Sequence, residues 1–211
     1  MLEALLRSIE NKHQTFVIFK ATTPDFRKGY TKLGLALKKD EHYIEETNLK
    51  QNLLDAMDTK QTCFMVDDDI IYKDFKFPEI KPIETYSLRL HKGISNPLHF
   101  NYAMSLDGNV FRTEDIRTII KNLNFTNPNQ LEAQLQGSFG HAFEMKYGKG
   151  HLIGFSHTRV SDGSHCHYTG MYSDEELNSR YLAGEIIDFE AMNIKPTDNV
   201  HTSMPYIFKT Q

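Results

Sequence analysis

A chain of 211 residues, 25% charged and 39% hydrophobic, is long enough for one well-cored domain, and its net charge of −4 excludes the Lys and Arg surplus that sequence-independent nucleic-acid binding requires. No apolar run reaches bilayer length, so no membrane span is predicted, and Glu3 and Arg7 interrupt the first apolar patch as they would not in a signal peptide. Two cysteines, Cys63 and Cys166, are too few for a disulfide framework, which fits a reducing, cytoplasmic setting.

Leu2, Leu5, Leu6 and Ile9 follow the i, i+3, i+4, i+7 spacing of one helix face, and Phe16 to Phe19 reads as a short buried strand. Pro24-Asp25 opens a second helix with Phe26, Tyr30, Leu33 and Leu37 on one side, and His42 to Ile44 suits an edge strand. Asn48 is placed to cap a third helix bearing Leu49, Leu53, Leu54 and Met57, which leads to an apolar strand from Thr62 to Val66. Helices alternating with short apolar strands over this first part predict an α/β fold with a mostly parallel sheet, in which ligands sit beyond the carboxyl ends of the strands.

The second part is less regular. Tyr86 to Leu90 alternates as a strand, Gly93 to Pro97 reads as a loop, and Thr113 is placed to cap a helix carrying Ile116, Ile119, Ile120 and Leu123. Asn127-Pro128 opens another helix with Leu131, Leu135 and Phe139 on its apolar face. Leu152 to Phe155 is a strand, Ser173 to Glu176 a capping box before Leu177, Tyr181 and Leu182, and Pro205 to Phe208 a last extended segment. With no internal repeat, the chain reads as one asymmetric domain over residues 1–211.

The apolar stretch Thr62 to Tyr72 is interrupted by Asp67, Asp68 and Asp69. Three adjacent carboxylates repel one another, and burying them requires a cation or a hydrogen-bond network. On extended backbone Asp67 and Asp69 would face one ion while Asp68 faces elsewhere. Oxygen-only ligands suit Mg²⁺ or Mn²⁺, ions commonly shared with a substrate phosphate. The alternative is an acidic surface turn, against which the flanking apolar residues and the absence of Gly, Pro or Asn argue.

With this motif on that topology, the sequence resembles nucleotide-sugar glycosyltransferases of the GT-A fold, in which a DxD motif ends a strand of a Rossmann-like half. The resemblance extends over most of the chain from Phe16 onward: Phe19-Lys20-Ala21-Thr22 with Gly29-Tyr30, Ser87-Leu88-Arg89-Leu90, Ser105-Leu106-Asp107-Gly108 with Phe111-Arg112-Thr113, Asn127-Pro128-Asn129-Gln130-Leu131-Glu132, and Glu175-Glu176-Leu177-Asn178. It is most similar to glycosyltransferases that build chlorella virus capsid glycans, and more distantly to exostosin-like N-acetylhexosaminyltransferases. Such enzymes usually begin with an apolar strand whose loop cradles the uracil. Here the chain starts at or near the following helix, or Phe16 to Phe19 takes that strand's place.

The resemblance implies transfer of a hexose or 6-deoxyhexose from a UDP-sugar to a glycan acceptor, in the host cytoplasm if the protein is viral. The nucleotide would occupy a half over about residues 1–75, with donor sugar and acceptor in a half over about residues 76–211. Asp69 would bind Mn²⁺ or Mg²⁺ directly, Asp67 directly or through water, and His201 would be the third ligand, while Asp68 would reach the ribose. Lys20 or Arg159 would pair with the diphosphate, with Thr22 and Tyr30 beside the nucleotide sugar. Glu132, with Asp107 as the alternative, would be the acceptor-side acid. For each of these residues a structural role stands beside the functional one: His201 in a surface loop, Glu132 favoured by a helix dipole, Asp107-Gly108 in a hairpin turn.

Two rival readings remain on the sequence. His157, His165, Cys166 and His167 suggest a transition-metal enzyme, although no paired ligand motif completes such a site. Tyr102, Tyr168 and Tyr172 suggest a sugar-binding module without turnover. A phosphate-cradling P-loop is absent from the sequence.

Overall fold

The structure is a computed structural model and describes residues 1–9, 13–36, 41–73, 75–91, 102–155, 171–195 and 201–211, without the side chains of Glu41 and His201. Helix α1 (Leu2–Ile9) buries Ala4, Leu5 and Leu6, and its Ser8 hydroxyl donates to Leu5 O at 2.6 Å while accepting from Ile71 N at 3.0 Å. Strand β1 (Thr15–Phe19), helix α2 (Pro24–Ala36) and strand β2 (Glu41–Glu45) follow, and β1 and β2 pair in parallel with Val17 opposite Tyr43. Helix α3 (Leu49–Ala56) starts as its sequence predicts, the Asn48 side chain accepting from Gln51 N at 3.1 Å.

The expected strand from Thr62 to Val66 is cut short. Strand β3 (Gln61–Cys63) stops after three residues, and Asp67-Asp68 lie in a turn closed by Asp69 N donating to Val66 O at 3.3 Å. Strand β4 (Asp69–Ile71) then leaves in a different sheet. The aspartates thus link two strands rather than crowning one, and just past them Ile70 and Ile71 alternate into two separate apolar cores.

Strand β5 (Glu84–His91) pairs antiparallel with β6 (Asn109–Arg112), a strand that the sequence reading did not find. Helix α4 (Thr113–Asn122) has Arg112, not Thr113, at its N-cap; the Thr113 hydroxyl is instead 2.8 Å from that of Thr62. Helix α5 (Pro128–Phe139) has the predicted Asn127 cap, accepting from Gln130 N at 2.9 Å, with Pro128 in its first turn. Strands β7 (Glu144–Gly148) and β8 (Leu152–Phe155), helix α6 (Asp174–Leu182), and strands β9 (Glu185–Ile187), β10 (His201–Thr202) and β11 (Phe208–Thr210) complete the described elements.

The class is α/β as expected, but the sheet is not one mostly parallel sheet. Among the described residues the strands form the sheets β1-β2, β3-β6-β5-β7, β4-β8-β10 and β9-β11. The pairs β1/β2, β5/β7 and β8/β10 are parallel; β3/β6, β5/β6, β4/β8 and β9/β11 are antiparallel. Each parallel pair has a helix between its strands in the chain, whereas β5/β6 and β9/β11 are joined without a described helix. Parallel neighbours need such a crossover and antiparallel ones do not, so the irregular second part produces the mixed directions.

The largest core joins Leu49 and Leu54 of α3, and Met57 just past it, to Ile116 and Ile120 of α4, Leu131 and Leu135 of α5, and Phe111 of β6. No helix among the described residues is long and apolar enough to cross a membrane. The aspartate turn lies where this framework meets a second core built on Ile70, Ile153, Phe155, Ile187 and Tyr206.

Candidate functional site

The three aspartates have three different environments. Asp67 is exposed at the tip of the turn, Asp68 is 8% exposed, and Asp69 is fully buried at the start of β4. One Asp69 oxygen accepts from the Arg89 guanidinium and the other from Val66 N at 3.4 Å. The same Arg89 nitrogen also donates to Asp107, so one buried cation from β5 bridges two carboxylates from different segments. Asp68 stands beside this pair, and burial, reinforced by Asp107 and Asp67, pushes its carboxyl up to about 7. Asp69 is likewise raised, by burial and by Asp107 and Asp68, against the opposing pull of Arg89. Around one guanidinium there are more carboxylates than it can neutralise.

Asp67 opens into a cavity of about 310 Å³, at the lower end of the range for small-molecule sites. Lys20 and Thr22, just past β1, and Tyr30 of α2 line it with Asp67, and Asp174, Asn178 and Tyr181 of α6 form the opposite wall. The α6 residues recur at i, i+4 and i+7, the spacing of one helix face. Tyr30 stacks on Phe19 with centroids 4.2 Å apart, and its hydroxyl is pushed up to about 12 by burial and then by Asp67 and Asp174. Asp174 is raised by burial and by Asp67. A second, shallower concavity of about 700 Å³ runs along the outer face of α2 and shares Thr22, but none of the aspartates borders it.

Glu132 and Asp107 lie outside the cavity. The Glu132 carboxylate accepts from Leu106 N at 2.9 Å and Ser105 Oγ at 3.3 Å, and Ser105 Oγ in turn accepts from Asp107 N at 3.1 Å. Glu132 thereby holds the segment that carries Asp107. The Tyr102 hydroxyl joins this network and is raised by burial and by Glu132. The other tyrosine proposed as a stacking platform, Tyr172, is packed on Tyr206 at 4.9 Å and against the edge of Phe208.

The structure therefore brings Lys20, Thr22, Tyr30 and Asp67 together, places Asp68, Asp69 and Asp107 on the inner side of the same turn, and sets Glu132 behind them. His201 pairs through its backbone with Gly154, and its side chain lies outside the described residues. Arg159, His157, His165, Cys166, His167 and Tyr168 also lie outside them. Arg89 and Asp174 were not singled out as site residues from the sequence. The signal for Arg89 was present, since a cation in the apolar strand Tyr86 to Leu90 requires a buried carboxylate partner.

Among the described residues no three His, Cys, Asp or Glu side chains are grouped to hold a metal ion. The donor chemistry fits a hard divalent cation at Asp67, which is open to the cavity, with the charge-burdened Asp68 beside it. Asp69 is fully buried, with one oxygen on the Arg89 guanidinium and the other accepting from Val66 N, so the structure gives it a structural role beside the direct-ligand role expected of it. Set against known protein families, curated proteins and solved structures, the chain matches none of them.

Proposed function

We propose that the chain is a glycosyltransferase of GT-A type that moves a hexose or 6-deoxyhexose from a UDP-sugar to a glycan acceptor with the help of Mn²⁺ or Mg²⁺. One observation carries the reading: Asp67, singled out for metal binding, lines a single cavity with Lys20, Thr22 and Tyr30, singled out for nucleotide-sugar binding in a separate segment of the chain. Lys20 supplies a mobile point charge to the diphosphate, the Thr22 hydroxyl a hydrogen bond, and Tyr30 an aromatic surface already fixed by Phe19. A cation bound at Asp67 would neutralise charge on the diphosphate and on the departing nucleotide.

On the acceptor side both candidates are engaged in the structure, Glu132 with the backbone of residues 105–106 and Asp107 with Arg89. In this reading the two halves, about 1–75 and about 76–211, meet at the aspartate turn, and the protein acts in the cytoplasm.

Calorimetric titration of UDP with Mn²⁺, and then with EDTA, tests the reading. Manganese-dependent binding that falls at least about tenfold in Asp67→Asn is the expected result. Equal binding by the two proteins, or none by either, removes the cavity from the argument.

A further inference from the structure

Resting on that reading, we propose that Arg89 is the positioning residue of the site and divides the labour of the aspartate triplet: it locks Asp69 and Asp107 inward so that the turn presents Asp67 to the ligand. The Arg89 side chain is fully buried, and a single nitrogen of it donates to Asp69 at the start of β4 and to Asp107 in the segment before β6. The turn is thus fastened immediately after Asp68. Asp107 is fastened a second time, through its own N–H to Ser105 Oγ and from there to Glu132 on α5. Hydrogen bonds run without a break from α5 to the turn that borders the cavity.

A guanidinium is suited to this position. It presents several donors in a rigid plane and stays charged when buried, whereas an ammonium is a single flexible point charge. The same contacts set the first and third aspartates apart, Asp67 being exposed at the tip of the turn and Asp69 fully buried on Arg89.

Manganese titration by calorimetry and by the electron spin resonance of the bound ion tests the assignment. Asp69→Asn, which keeps a group able to accept from Arg89, binds Mn²⁺ within about threefold of the unaltered protein, whereas Asp67→Asn loses at least about tenfold. Arg89→Lys keeps the charge and a folded chain but not the bridge, so affinity drops several-fold and the spectrum of bound Mn²⁺ broadens. A rise in Mn²⁺ affinity in Arg89→Lys overturns the proposal, because Arg89 would then be masking metal ligands. An Asp69→Asn loss equal to that of Asp67→Asn overturns it too.

A second measurement needs no metal. In EDTA, Arg89→Met lowers Tm by roughly 10 °C by leaving two carboxylates buried without their cation, and adding Asp69→Asn restores part of that loss. Strictly additive losses mean that the pair is not coupled and overturn the assignment. An unaltered protein that takes no Mn²⁺ overturns the metal-dependent reading instead, and the stability cycle then decides the role of Arg89.

Discussion

At the scale of single residues, the three aspartates differ because each meets a different environment. Asp68 has the clearest consequence. Its carboxyl is pushed up to about 7 in the folded chain against an ordinary value of 3.8, so the folded state binds that proton more tightly than the unfolded state does. The stability it contributes is complete below about pH 4 and is lost as pH rises through about 7. In metal-free buffer Tm is therefore expected to fall between about pH 4 and about pH 7, and Asp68→Asn, which cannot ionise, is expected to flatten that slope. Thermal denaturation across the range checks it, and an identical slope in the two proteins contradicts the assignment. That carboxylates would cluster here was legible in the sequence. Which of them faces outward was not, because it depends on Arg89, twenty residues away in the chain.

At the scale of elements, cap residues and apolar periodicity located the helices, while strand directions depended on partners that no local pattern reveals. Asn48, Asn127 and Ser173 each cap the helix they were expected to cap. Strand β6 escaped notice because Asn109 to Arg112 is a four-residue stretch whose inward residues are fixed by β3 and β5 on either side. Gly108, just before it, has φ +81, and a Cβ there would lie 2.4 Å from Leu152, so the apparent hairpin glycine also serves a close approach between strands. Helix α5 supports a sharper expectation. Leu131 and Leu135, one turn apart, are 1% and 0% exposed in the largest core, and the same helix carries Glu132, which fastens residues 105–107. Leu135→Ala leaves a cavity against α3 and α4 and should cost about 3 kcal/mol, read as a lower midpoint in urea with an unchanged slope. A loss under about 1 kcal/mol would show that the site can collapse around the vacated volume.

At the scale of the whole molecule, the cavity is bordered by segments from both ends of the chain: Leu2 and Glu3 of α1, Leu33 of α2, Leu177 of α6, Ile187 of β9 and Phe208 of β11. Helix α6, one of its walls, contains no fully buried residue. Beside the partly buried packing of Leu177 and Tyr181, it is held by polar ties, Asn178 Nδ2 to Asp25 O at 3.1 Å, Lys32 Nζ to Tyr181 O at 2.6 Å and Arg180 to Glu185 at 3.0 Å. A wall with so few buried contacts belongs to the part of a fold that opens at least cost, so α6 should exchange its amide hydrogens before α4 and α5 do. A ligand that fills the cavity touches this wall and stabilises it. At a concentration about 100 times its dissociation constant it adds about 2.7 kcal/mol of stability, a rise in Tm of roughly 5 to 10 °C for a chain of this size. UDP with Mn²⁺ is accordingly expected to raise Tm and to slow exchange selectively in α2, α6 and β9, with about half of each effect or less in Asp67→Asn at the same concentration. Protection spread evenly over α4 and α5 would instead place the ligand elsewhere, since those helices border the large core and not the cavity.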